Sequence, residues 1–163
     1  MSTLAIPDDY AARRGLVPQR EATELVLVGR TPDGREVQLT PGAARAWNLM
    51  CQEAAADGIA LVALSGFRSI ERQRALIEAK LSTGQGMEDI LTTVAAPGYS
   101  EHHTGCAVDV AVPDRPTLTE AFAGTPAFRW LEANAGRFGC RLSYPQHNAQ
   151  GFVFEPWHWY FQG

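Results

Sequence analysis

Cysteine is scarce in this chain and poorly placed for bridging. Cys51, Cys106 and Cys140 are an odd number at wide spacing, with no CxxC pair. That argues against a disulfide framework, a dithiol redox motif and a thiolate-rich zinc knuckle, and leaves each cysteine an apolar packing role. Long apolar runs are missing too. No stretch approaches the roughly 18 residues of a membrane-spanning helix, so no span is expected. Positive charge is short: 14 Lys and Arg against 18 Asp and Glu give a net charge of −4. Arg13-Arg14 is too brief for a basic patch, so neither nucleic acid nor an anionic lipid surface is an expected partner. Neither GxGxxG nor a Walker-type loop occurs, which removes the usual grounds for a nucleotide cofactor. Ser65, Ser69 and Ser100 lie in no GxSxG elbow, and no cysteine sits in a catalytic signature, so covalent catalysis is not expected. The opening MSTLAIPDDYAARRG has charges but no apolar block after them and does not read as a signal peptide. Cytoplasmic residence is the default expectation, with a periplasmic or wall-facing one if an export signal has been removed.

The residues present suffice for one core. Of 163 residues, 45% are hydrophobic, typical of a globular domain. A chain of this length buries about two-thirds of its unfolded surface, so a metal here serves chemistry rather than holding the core together. Residues 1–24, with Pro7, Gly15 and Pro18, read as an irregular N-terminal arm, and 25–163 as the domain. The terminal YFQG continues an aromatic run and reads as native.

Leu25–Val28 and Arg35–Leu39 flank the turn signal Pro32-Asp33-Gly34 and predict a hairpin. Thr40-Pro41 caps a helix to about Asp57, with Ala46, Leu49, Met50 and Ala54 as its buried stripe. Ile59–Leu64 predicts a strand leading into SGFRS, and Ser69 caps a helix over Ile70–Leu81. Residues 82–98, with Gly84, Gly86, Pro97 and Gly98, predict a loop beside the site holding a short helix near Met87–Val94. Gly105–Val112 predicts a strand. Thr125-Pro126 opens a helix to about Arg137, stopped by Gly139. Leu142–Tyr144, Phe152–Phe154 and Trp157–Phe161 predict short strands. The fold class is α+β, with a small, mainly antiparallel sheet packed with helices and a metal site in a cleft. No repeat or heptad is visible, and oligomeric state stays open.

Two segments about fifty residues apart carry the chemistry: SEHHTGCAVDV, Ser100–Val110, and EPWHW, Glu155–Trp159. Asp109 lies in the apolar run AVDVAV. A carboxylate buried there is costly unless it is ion-paired or metal-bound. A histidine of the loop before Gly105 and His158 can join it, because glycine tolerates the turn angles that bring loop and strand together. Two imidazoles, one carboxylate and an open position describe a catalytic zinc site, although manganese or iron accepts the same donors. Glu155 stands three residues before His158 across Pro156. It is placed either as the base that takes a proton from water and returns it to a leaving amine, or as a fourth ligand closing the site. Arg68 fits equally a surface cation and a donor to a developing oxyanion. His147, in the polar loop PQHNAQ, reads as exposed.

SGFRS, SEHHTGCAVDV and FEPWHWYF together resemble the zinc-dependent D-alanyl-D-alanine carboxypeptidases of the VanY type, which share the LAS-type, hedgehog-like peptidase fold with the VanX-type dipeptidases. FRWLEANAGRFG and LSYP are also similar, and the likeness covers roughly residues 25–162. The resemblance implies one catalytic Zn2+ held by His102, Asp109 and His158. Adjacent side chains point in different directions, so His103 is expected either behind the ligands as their support or lining the site. It implies Glu155 as base, Arg68 as transition-state donor, and Ser100, Gln73, Arg68 and Trp157 as substrate contacts. The implied substrate is a peptidoglycan stem peptide or precursor ending in D-alanine. Relatives that cleave the L,D bond of a tetrapeptide, or within cross-links, use the same atoms, with residues 82–98 as the expected specificity element; a noncatalytic zinc-containing wall-binding module of the same fold is the remaining alternative, and the intact Glu155 argues against it. His103, Cys106 and Phe67 stand where relatives often carry glutamine, leucine and tyrosine.

Overall fold

Thr40, Ser69 and Thr125 each place a side-chain oxygen on a backbone N–H of the helix that follows: Ala43 at 3.4 Å, Arg72 at 2.9 Å and Phe128 at 3.2 Å. These are the expected N-caps, and the helices begin where the caps put them. The computed structural model describes residues 3–162, so Met1, Ser2 and Gly163 lie outside the described residues. Helices α1 to α5 are Tyr10–Arg14, Pro41–Ala56, Ile70–Ser82, Met87–Ile90 and Pro126–Asn134. Strands β1 (Val26–Arg30) and β2 (Glu36–Leu39) form the expected hairpin. Strands β3 (Val62–Ser65), β4 (Ala107–Ala111), β5 (Cys140–Leu142) and β6 (His158–Phe161) form a second sheet in the order β3-β4-β6-β5, antiparallel throughout. Among the described residues no helix is long and apolar enough to cross a membrane.

Strand β4 is buried on both faces, which is why its sequence is almost wholly apolar. Val108 and Val110 enter the main core with Leu39, Met50, Leu131 and Trp159. Its other face, carrying Asp109, is covered as well. Cys140 is buried and Cys51 half-buried, and burial pushes both thiols up to about 12, so neither offers a ready thiolate.

Several expectations need correction. The buried stripe of α2 is Ala43, Ala44, Trp47, Met50 and Ala54. Leu49 is 55% exposed and Ala46 only partly covered, because helical spacing selects Trp47 and rotates Leu49 out of the face. The α5 pattern breaks at Asn134 and continues as a 3-10 turn over Ala135–Phe138. The short helix near Met87 ends at Ile90 rather than Val94. The strand expected at 142–144 lies at 140–142, because Ser143 and Tyr144 turn toward the site. Phe152–Phe154 is not a strand: Phe152 N–H is capped by the Asn148 side chain and Val153 N–H bonds the Thr92 carbonyl, outside any ladder.

Apart from α1 the described part of the arm lies in no regular element, and specific contacts hold it against the rest of the chain. Tyr10 is buried on α1, and its hydroxyl accepts the Ala96 N–H at 3.1 Å. The Arg14 guanidinium lies between the rings of Tyr10 and Phe152, 4.9 and 4.5 Å from their centroids, and Arg14 Nε donates to the Gln150 carbonyl. Gln19 N–H bonds the Gly98 carbonyl and Ala22 N–H that of His103. The arm therefore ties together both walls of the cleft described next.

Candidate metal centre

Asp109 on β4 is paired in register with His158 on β6 and with Ser65 on β3, so three strands bring polar groups to one level of the sheet. A 3-10 turn, Glu101–Thr104, delivers His102. Ser100 caps that turn by accepting the His102 N–H at 3.1 Å. Gly105 ends it at φ 68°, the left-handed conformation that glycine adopts at no cost, and the chain passes directly into β4. His102, Asp109 and His158 are each at most 4% exposed, and one donor atom from each lies within 4.8 Å of the others.

The outer nitrogens of both imidazoles are committed. His102 Nδ1 donates to the Gly66 carbonyl at 2.7 Å, and His158 Nε2 donates to Glu101 Oε1 at 2.9 Å. Their inner atoms, His102 Nε2 and His158 Nδ1, face Asp109 Oδ1 at 3.2 and 3.5 Å. That oxygen is buried and has no aligned hydrogen bond. Burial alone would raise the Asp109 pKa, but the flanking imidazoles hold it well below the usual carboxylate range. Burial lowers the pKa of His102, keeping it a neutral electron-pair donor. Burial also opposes charge on His158, yet the neighbouring carboxylates of Asp109 and Glu101 outweigh that and hold its pKa at about 10. Three donor atoms converging on one point in a dry site require a cation between them, a proton or a metal. Two nitrogens and one oxygen fit a single zinc ion with a position left open.

Glu155 precedes β6 in a turn closed by His158 N–H to the Glu155 carbonyl, and its own N–H bonds the Tyr144 carbonyl. Its Oε2 lies 3.7 Å from His158 Nδ1, beside the cluster. Burial is the main cause that raises its pKa to about 7, reinforced by the charge of Asp109 and offset in part by His158 and Arg68. Arg68 follows β3. Its Nη1 donates to Gln73 Oε1 at 3.0 Å and its Nη2 to Ser65 Oγ at 3.1 Å. Gln73 Nε2 in turn donates to the Ala95 carbonyl at 2.7 Å, anchoring residues 82–98 beside the cleft. Arg68 is thus directed inward rather than acting as a surface cation.

The cleft has two limbs that share Arg68, Leu76, Asp109 and Leu118. The smaller, about 170 Å³, is walled by Gln73, Ser100, Tyr144, Glu155 and Trp157. The larger, about 550 Å³, opens past Ser65, Phe67, Arg35 and Arg72. His103 is fully buried: its Nδ1 donates to the Arg68 carbonyl at 2.7 Å and its Nε2 accepts the Gly98 N–H at 3.1 Å. It braces the arginine turn and does not line the cleft. His147 is exposed, with φ 59°. Two contributors escape the motif reading. Tyr144 sets its ring 4.7 Å from that of His158. Glu101 bonds the outer nitrogen of His158, and a carboxylate beside a histidine in a loop gives no sequence signal for a partner so distant in the chain.

The family model for VanY, D-alanyl-D-alanine carboxypeptidase, matches residues 36–163. The chain belongs to the VanY family. Within this VanY-family sequence space, it is 35% identical over 119 residues to the putative carboxypeptidase YodJ of Bacillus subtilis, a match covering 71% of this chain and 43% of YodJ. The chain therefore spans less than half the length of that relative. Among solved structures, the LdcB LD-carboxypeptidase superposes with TM-score 0.79 at 31% identity, covering 89% of this chain and 71% of LdcB. VanYB in complex with D-alanine-D-alanine superposes with TM-score 0.70 at 27% identity, covering 91% and 82%. The α+β arrangement, with its buried donor cluster, is the LAS-type VanY-like fold of these neighbours.

Proposed function

We propose that this chain is a zinc-dependent D,D-carboxypeptidase that removes the terminal D-alanine from peptidoglycan stem peptides or their precursors. The observation that carries the reading is the convergence of His102 Nε2, His158 Nδ1 and Asp109 Oδ1 beside Glu155, at the junction of a narrow and a wide limb of one cleft. A zinc ion held by these three residues supplies Lewis acidity toward the scissile carbonyl and acidifies a water.

The chain's own groups supply the rest. Glu155, with a pKa near neutrality, takes a proton from the attacking water and returns it to the leaving amine. Arg68, fixed by Gln73 and Ser65, presents its charge to the oxyanion developing on the carbonyl. The Gln73 amide is engaged by Arg68 and Ala95, so Gln73 acts on substrate through Arg68 rather than by direct contact. Ser100 Oγ accepts from His102 N–H and retains its own proton for the substrate carboxylate. The 170 Å³ limb, with Ser100, Tyr144 and Trp157, suits a single small leaving residue, while the 550 Å³ limb accepts the remaining stem. One small limb and one large limb are what exo-cleavage of a single residue requires.

A second reading, L,D-carboxypeptidase, is favoured by one observation: LdcB superposes at TM-score 0.79 against 0.70 for VanYB. Mass spectrometry of products separates the two. Zinc-loaded protein is incubated with a pentapeptide ending in D-Ala-D-Ala and, separately, with the matching tetrapeptide, with Glu155→Ala as control. Loss of one alanine from the pentapeptide alone supports the D,D reading. Cleavage of the tetrapeptide alone transfers the assignment to L,D chemistry, and no product from either overturns both.

A further inference from the structure

We propose that Glu101, braced by Arg141 and Ser143, is a positioning residue that fixes the ring orientation and tautomer of His158 and so sets how tightly the cluster holds its metal. The inference rests on the metal-site reading above.

Four contacts carry it. Glu101 Oε1 accepts from His158 Nε2 at 2.9 Å. The same oxygen accepts from Ser143 Oγ at 2.6 Å. Arg141 Nη2 donates to Glu101 Oε2 at 3.2 Å, and Arg141 Nη1 donates to Ser143 Oγ at 3.2 Å. The Arg141 guanidinium is itself seated over the Tyr160 ring, 4.9 Å from its centroid. Glu101 has little freedom to leave His158, because its side chain is only 13% exposed and both oxygens are engaged.

Glu101 stands behind His158, on the far side from the cleft, and belongs neither to the donor cluster nor to the cleft lining. It cannot touch substrate, so any effect on the reaction passes through His158. With the N–H fixed on Nε2, the electron pair of Nδ1 is aimed inward at the point shared with His102 and Asp109. An ionised partner on the outer nitrogen also makes an imidazole a better donor at the inner one. The turn that carries His102 carries Glu101 as its neighbour, so one 3-10 turn contributes one donor directly and aligns another 57 positions away.

The test is zinc affinity, measured by competition with a chromophoric chelator on wild type, Glu101→Gln, Glu101→Ala and Asp109→Ala, with circular dichroism and thermal unfolding to verify folding. The expected result is a loss of about 10- to 100-fold in zinc affinity for Glu101→Ala. Glu101→Gln is expected to lose less, because its amide oxygen still accepts from His158 while the charge is gone. At saturating zinc, Glu101→Ala should lower kcat with little change in KM. Proton NMR of the zinc-loaded proteins should show the His158 Nε2–H protected from solvent exchange in wild type and Glu101→Gln and exchanging rapidly in Glu101→Ala, because only the first two keep its acceptor. Folded Glu101→Ala with wild-type zinc affinity overturns the proposal while leaving the metal site intact. Failure of wild type itself to bind zinc more tightly than Asp109→Ala overturns the site reading instead.

Discussion

His158 and Asp109 are in-register partners on neighbouring antiparallel strands, so two of the three donors are aligned by sheet hydrogen bonding, while a 3-10 turn places the third, His102. Trp159 pairs with Val108 one step further and packs in the core. A one-residue register slip that moved His158 from Asp109 would also turn Trp159 out of the core, and the apolar packing thereby guards the pairing.

Glu155 is raised to about 7 in the folded protein from an ordinary 4.5, chiefly by burial. Its proton therefore binds more tightly folded than unfolded. In metal-free protein that contribution is fully present below about 4.5 and is lost as pH rises through about 7. Glu155→Gln should remove this dependence. Urea unfolding at pH 5 and pH 8 should show wild type losing on the order of 2 kcal/mol relative to Glu155→Gln over that interval. Equal pH slopes for the two proteins would refute the assignment.

The same residue makes a kinetic prediction. Glu155→Gln should bind zinc and substrate normally yet lose about 10²- to 10⁴-fold in kcat, the usual worth of a positioned base. Steady-state kinetics beside a zinc-binding isotherm checks this, and loss of zinc together with activity would make Glu155 a fourth ligand.

Gly66 has no room for a side chain. A Cβ there would lie 2.5 Å from the Gln38 carbonyl oxygen and 3.0 Å from Val37. The Gly66 carbonyl also receives His102 Nδ1. Gly66→Ala should cost about 1–3 kcal/mol by forcing β2 and the SGFRS turn apart, and should weaken zinc binding because His102 loses its outer partner. Thermal unfolding and chelator competition on the same protein measure both.

Arg14 joins the arm to the cleft wall through Tyr10, Phe152 and the Gln150 carbonyl. Arg14→Ala should lose about 1–2 kcal/mol through the stacked contacts and one hydrogen bond. It should raise KM more than it lowers kcat, since Phe152 lines the small limb while the donors are held by β4, β6 and the 3-10 turn. Hydrogen exchange should quicken at residues 148–153, while an unchanged exchange pattern would show the arm to be dispensable.

The donors were legible in the sequence because each breaks a local pattern. Asp109 is a carboxylate in an apolar strand, and His158 sits between tryptophans with an acid three residues before it. The caps at Thr40, Ser69 and Thr125 were legible because capping chemistry is local. What was not legible depends on distant partners. Glu101 acquires meaning only from His158, Ser143 and Arg141. Helix α1 inside the irregular arm gave no signal because five residues are too few for a periodic pattern, and the contacts that hold it are with Phe152 and Ala96 far along the chain. The alternation at 152–154 looked like a strand, but Phe152 is buried against Tyr144 rather than through a ladder. Leu49 looked like core because it is apolar, and Trp47 took the face because its position suits the helix.

The most direct test of the whole account is a titration of chelator-stripped protein with zinc, following D-alanine release from a pentapeptide ending in D-Ala-D-Ala. Activity should be absent without metal, rise linearly and saturate at one zinc per chain, and stay absent in Asp109→Ala at any zinc level. Turnover by metal-free protein, or full turnover by folded Asp109→Ala, would contradict it.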